Sequence, residues 1–326
     1  MKQHFLSFLT LFVSLLSIHS YAQEPIESYA IAKKDSLRVG PAPTDFLPFI
    51  SKGYTLLLPG STTPKGVLIF LEDSEFDKKN RSAQLMYQQA TQHEFAVLSV
   101  STEIPLDFYF TEASMQTAHQ IIEEAFTKHQ LPNGNIFFLG ASLVGHRAMQ
   151  YLKFISKQDL DFTLNTKGIV VCNFTMDFSR KWYQHERDIR INRINLWEPK
   201  FINYLLESFL KGTPETNPEA YYAFSPYCHA DQQNRNIELY KDYAIRAYVE
   251  PALNYKLTQQ YRTLYENNTT DIVGFLAELR LIGNTETDLI VVQPGDNPSS
   301  NKSTQATWEA IDKKELMAWI KLQTQQ

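Results

Sequence analysis

What most constrains this chain is an alternation that begins near residue 53. Strand-length apolar runs occupy 53–59, 66–71, 95–100, 136–139, 168–172, 245–249 and 289–292. Some of them, such as Val67-Leu68-Ile69-Phe70-Leu71 and Ile169-Val170-Val171-Cys172, are apolar at every position rather than at every second one. A strand with one wet face alternates, so unbroken runs mark strands covered on both faces, the environment of a parallel sheet. Between the runs lie segments with helical spacing, at 82–93, 112–129, 143–155 and 308–322. In 112–129 the residues Met115, Ala118, Ile121, Ile122 and Phe126 form one stripe. In 308–322 the same is true of Ile311, Leu316, Met317, Trp319 and Ile320. Strand and helix in turn, with short connections, predict an α/β fold: a mostly parallel central sheet flanked by helices and joined by right-handed crossovers. The polar stretch 27–40 has strand-forming character as well.

The rhythm breaks once. From 178 to 240 there is no strand pattern, only a basic and aromatic segment (180–193), an amphipathic helix (201–210), a turn-rich break (212–218) and a stretch dense in aromatic and polar groups (220–229). This predicts a helical insertion, a cap or lid, between two strands. Aromatic residues such as Phe108, Trp182, Trp197, Tyr221 and Tyr227 would line a pocket beneath it or pack its interior.

The N-terminus reads as an address. Lys2 precedes an apolar run at 5–18, which closes on Ser20-Tyr21-Ala22. Small residues at −3 and −1 suit signal peptidase, so 1–22 is expected to be a signal peptide; an N-terminal anchor helix is the alternative. The run is short and serine-rich for a membrane span, and no Cys follows it to carry a lipid. The expected product is a single domain over 23–326, without a stable membrane span, exported to the periplasm or secreted by a bacterium. With 31 Lys+Arg against 36 Asp+Glu, a formal charge of −5 argues against a nucleic-acid binder. The 43% hydrophobic content argues against a disordered chain. Two Cys exclude a four-Cys zinc site. Asp73, Glu75 and Asp77 alternate without a calcium-loop pattern, and no Gly-rich phosphate loop occurs, so neither metal nor cofactor is expected. Export permits a Cys172–Cys228 disulfide; two buried free thiols are the alternative.

The chemistry is concentrated at Leu139-Gly140-Ala141-Ser142-Leu143-Val144-Gly145-His146. A strand runs into Gly-x-Ser and directly into a helix, which resembles the nucleophile elbow of the α/β-hydrolase family. Small residues allow the tight turn, and the backbone N–H of Leu143 would help to bind an oxyanion. The family pattern is Gly-x-Ser-x-Gly; here Val144 replaces the second Gly, with Gly145 one place later. Tyr221-Tyr222-Ala223-Phe224-Ser225-Pro226 is similar to a stretch that follows the lid in this family. Tyr248-Val249-Glu250 matches the strand after which the triad acid falls. The 308–319 helix resembles the last helix, which begins just after the catalytic His.

The resemblance implies Ser142 as nucleophile and then an acid and a His in that order, and here the chain departs from it. Glu250 is the acid candidate, with Ala252 where an Asp would be sought. The loop 293–307 contains no His, and none occurs after His229. His229 is the remaining base candidate. His146, one helical turn past Ser142, is a weaker one with packing as its default role. His185 is expected to be solvated in the insertion, and His93, His119 and His129 to lie away from the chemistry. The second oxyanion donor would be the N–H of Glu72 or Asp73, in a loop whose carboxylates oppose a developing negative charge. Two functions follow. One is an exported binding or interaction protein with the elbow kept and the triad lost, holding a small-molecule or peptide ligand under the lid. The other is a secreted serine hydrolase of ester or peptide-type bonds using Ser142 with a non-standard base.

Overall fold

The computed structural model of the 326-residue chain describes residues 24–33, 50–60, 63–72, 81–102, 111–192, 196–293 and 304–325. The expected signal peptide lies outside them, as do Asp73, Glu75, Asp77, Phe108 and the loop 294–303. Eight strands form one sheet: β1 (Ile26–Lys33), β2 (Ile50–Leu57), β3 (Gly66–Leu71), β4 (Phe95–Ser101), β5 (Ile136–Ala141), β6 (Thr166–Cys172), β7 (Ala244–Val249) and β8 (Thr287–Val291). Their order is β1-β2-β4-β3-β5-β6-β7-β8. β2 is antiparallel to both β1 and β4, and all pairs from β4 to β8 are parallel.

Helices supply the parallel crossovers. α1 (Arg81–Gln92), α2 (Glu112–His129) and α3 (Leu143–Ile155) follow β3, β4 and β5. Between β6 and β7 come α4 (Phe178–Ile191), α5 (Trp197–Leu210), α6 (Pro218–Phe224) and a 3-10 turn (Ile237–Tyr240). α7 (Leu253–Gln259) and α8 (Asn268–Leu281) separate β7 from β8, and α9 (Thr304–Ala310) and α10 (Lys313–Gln323) close the chain.

The unbroken apolar runs are explained by two covered faces. Val67, Ile69, Phe138, Ile169, Val171, Ile245 and Ala247 face the layer that holds α2, α3 and α8. Their alternate neighbours Leu68, Phe70, Phe137, Leu139, Val170 and Cys172 face α1 and α10, meeting Met86, Met317, Trp319 and Ile320. Each large apolar side chain so buried contributes about 1.5–3 kcal/mol, and the period of two sends successive residues to opposite layers.

Three details differ from expectation. The closing helix is two, because the Asp312 side chain accepts from the N–H groups of Lys314 and Glu315 and caps a fresh start. α8 has no counterpart in the sequence reading. Its buried Ile272, Phe275, Leu276 and Leu279 have helical spacing, but exposed Val273 and Leu281 blur the stripe. His185 is buried rather than solvated, with Nδ1 2.9 Å from Asn203 Oδ1, because α5 packs over it. Of the two states left open for the cysteines, the structure holds the second: Cys172 and Cys228 are both buried free thiols.

Candidate active site

Ser142 lies at the carboxyl edge of the sheet, where β5 turns into α3. Its backbone has φ 53° and ψ −127°, a region that costs a side-chain-bearing residue about 1–3 kcal/mol. Its N–H donates to the Cys172 carbonyl at 3.2 Å, and its carbonyl accepts from His146 N–H at 3.3 Å. The residue is exposed, and its hydroxyl makes no capping bond to its own helix. The displaced glycine also has a physical account. A Cβ on Gly140 would lie 2.7 Å from the Gly145 Cα, and one on Gly145 would lie 2.6 Å from the Phe174 ring. The close approach that the elbow demands is therefore made between Gly140 and Gly145, and half-buried Val144 is tolerated between them. Leu143, the first residue of α3, has an N–H without an intrahelical acceptor, as any such position does. The Glu72 N–H is committed: it donates to the Val100 carbonyl at 2.9 Å. A second donor from this loop would have to come from beyond it, outside the described residues.

Adjacent strand ends carry polar residues beside the elbow. Ala141 of β5 is in register with Cys172 of β6, and Cys172 with Tyr248 of β7, so Ser142, Asn173 and Glu250 leave neighbouring strands at one edge. Asn173 is buried, with φ 44°. Its N–H donates to the Tyr248 carbonyl at 2.9 Å, and its carbonyl accepts from Asn268 Nδ2 at 3.3 Å. Its Nδ2 donates to Thr307 Oγ1 at 3.3 Å, and the Thr307 hydroxyl is near enough to the Glu250 carboxylate to act on its pKa. Burial raises the Glu250 pKa above the usual carboxylate range, against the opposing effects of Lys256 and of Thr307. Lys256 places Nζ 3.5 Å from the Glu250 carbonyl, and burial pulls its pKa down to about 8. Asn267 fixes the turn after Glu250 by donating to the Pro251 carbonyl at 2.9 Å.

The histidines are elsewhere engaged. His146 is 1% exposed, wedged against Phe178 (ring centroids 4.4 Å apart) and Phe224 (5.2 Å), with Gln150 Nε2 3.3 Å from its ring nitrogen. Burial, and then Lys153, lowers its pKa to about 3. His229 is exposed; its Nδ1 pairs with the Tyr227 hydroxyl at 3.2 Å and its N–H with Asp177 Oδ2 at 2.9 Å. His119 and His129 pair with the Tyr151 and Tyr54 hydroxyls at 2.9 and 3.0 Å. Of the residues singled out from sequence, Ser142, Leu143 and Glu250 share the sheet edge, whereas His229 and His146 are held by other partners. Asn173, Thr307 and Asn268 were not singled out. The available signals were a polar residue directly after an apolar strand and a hydroxyl directly before Trp308. Among the described residues no cluster of metal-ligating side chains occurs, and no helix is long and apolar enough to cross a membrane.

Strand order, elbow and flanking helices define the α/β-hydrolase fold. Solved structures similar to the chain include the acylaminoacyl peptidase of Pyrococcus horikoshii, with a TM-score of 0.53 at 13% identity over 96% of this chain and 43% of that one. Carboxyl esterase 2 of the mycorrhizal fungus Tuber melanosporum gives 0.52 at 14% identity, over 94% and 88%. The chain thus spans less than half the length of the peptidase, and at these identities the likeness is one of fold. No family model and no curated protein sequence matches it.

Proposed function

We propose that this chain is an exported binding protein built on the α/β-hydrolase fold, with its catalysis impaired. In this reading Ser142 is a retained elbow and the helices of 178–240 cover a small-molecule or peptide ligand. One observation carries it. Glu250, the acid candidate, has Thr307 and Lys256, not an imidazole, acting on its carboxyl, in a chain with no His beyond His229. A threonine hydroxyl can accept and donate a hydrogen bond but cannot take the serine proton at neutral pH. Without a base, turnover is expected to fall by about 10⁴ to 10⁶ relative to a complete triad. The strained, exposed Ser142 supports the second reading, a serine hydrolase of ester or peptide-type bonds with a non-standard base, since strain of this kind accumulates at functional sites.

The test is the purified protein and Ser142→Ala with a fluorophosphonate probe, read by adduct mass, alongside short-chain nitrophenyl esters. The expected result is no Ser142-dependent labelling of a well-folded protein. Labelling and turnover that vanish in Ser142→Ala would overturn the binding reading in favour of the hydrolase.

A further inference from the structure

Helix α7 buries none of its residues. It is followed by an irregular stretch that leads to α8, and together they present Leu253, Leu257, Tyr261, Leu264 and Tyr265, each 50–62% exposed. Leu253 and Leu257 are one turn apart on the same helical face. Tyr261 is held beside the helix end, because the Arg262 N–H donates to the Lys256 carbonyl at 2.9 Å. The carbonyls of Leu264 and Tyr265 are fixed from beneath by Thr270 Oγ1 at 2.7 Å and Arg180 Nη1 at 3.1 Å. The patch is therefore apolar and anchored.

Its charge is as informative as its apolarity. Residues 251–265 contain no acid and two cations, Lys256 and Arg262. Both cations turn inward. Lys256 lies against the Glu250 carbonyl, and Arg262 pairs with fully buried Asp188. The acids that bracket the stretch, Glu250 and Glu266, are also buried. A lipid surface would be approached by a chain of net charge −5 with no outward cation in 251–265, and the adjoining Arg187, which donates to the Tyr261 carbonyl at 2.6 Å, is paired with Glu266, whereas peripheral membrane binding draws on free cations. A second copy meets the opposite conditions. Like-charge repulsion opposes two acidic molecules over most of their surface but not over an uncharged face. Five half-exposed Leu and Tyr residues offer on the order of 500 Å², the core of the roughly 800 Å² per partner that a stable dimer needs, depleted of charge and rich in Tyr as such cores are.

We infer that the face built by Leu253, Leu257, Tyr261, Leu264 and Tyr265 is a two-fold interface with a second copy of this chain. The experiment is sedimentation velocity on the purified protein from about 0.1 to 100 μM, with Leu257→Glu, Leu257→Met and Leu281→Glu, each checked for a native circular dichroism spectrum. The expected result is a wild-type dimer that dissociates on dilution, kept by Leu257→Met and Leu281→Glu, with Leu257→Glu raising the dissociation constant at least tenfold. High salt is expected to leave the wild-type constant unchanged or to lower it. A wild type that stays monomeric throughout the range would overturn the inference, as would a dimer lost in Leu281→Glu but kept in Leu257→Glu. A monomer that floats with phosphatidylcholine vesicles through Leu257 would reassign the patch to lipid.

Discussion

His146 follows Ser142 by one helical turn, yet its surroundings remove it from proton chemistry. Phe178 and Phe224 enclose the ring, and a pKa of about 3 keeps it neutral. Because the folded value lies below the unfolded value near 6.5, the unfolded chain takes a proton that the native state refuses. The site costs nothing above about pH 6.5, and its cost grows as pH falls towards 3. At 1.36 kcal/mol per pH unit, moving from pH 7 to pH 5 is expected to cost about 2 kcal/mol through His146 alone. His185, whose pKa burial also holds well below its usual value, adds in the same direction. Urea denaturation at the two pH values should therefore show a smaller loss for His146→Gln than for wild type; equal losses would refute the assignment. At this scale Ser142 was legible from the Gly140-x-Ser142 turn between a strand and a helix, and Glu250 from its match to a known triad order. Asn173 and Thr307 were not, because they are brought together by the register of β6 with β7 and by the start of α9, neither of which is local in sequence.

Between elements, the most committed joint links α4 to α8. Arg180 grips Asp271 with Nε and with Nη2, the latter at 2.7 Å, and both side chains are buried. Asp271 also accepts from the N–H groups of Met176 and Asp177 at 3.4 and 3.3 Å. Asp177 in turn caps α4 through Arg180 N–H at 2.9 Å. Removing one partner of a buried ion pair leaves the other charge without compensation, so Asp271→Asn is expected to lower stability by about 3–5 kcal/mol. Glu219→Gln, which breaks an exposed pair with Arg235, is expected to cost under about 1 kcal/mol. Chemical denaturation of the two variants side by side tests the contrast. The helical character of 178–240 was readable from the absence of strand runs. The joint was not, since Arg180 and Asp271 are 91 residues apart and one of them belongs to a helix whose stripe is blurred.

For the whole molecule, the alternation of runs and stripes was enough to read an α/β sheet. The antiparallel β1–β2 edge was not, because pairing order leaves no mark within a strand. The two cysteines show how layers settle what spacing leaves open. Cys172 points into the α1 and α10 layer, whereas the Cys228 thiol donates to Asp177 Oδ1 at 3.4 Å in the insertion. Burial raises both thiol pKa values. Ellman's reagent is thus expected to find no reactive thiol in the native protein and two after unfolding, with a melting temperature indifferent to reductant. A native protein whose melting point drops on reduction would contradict this packing.

The enclosure of Thr307 limits what position 307 can hold. The residue is fully buried against Asn173, so an imidazole there would overpack its surroundings at about 1–3 kcal/mol. In the binding reading this enclosure acts as a one-way door: supplying a base here would require room to be made at position 173 at the same moment. Thr307→His alone is expected to leave nitrophenyl ester hydrolysis at background, and Ser142-dependent turnover in that single variant would show the door to be open.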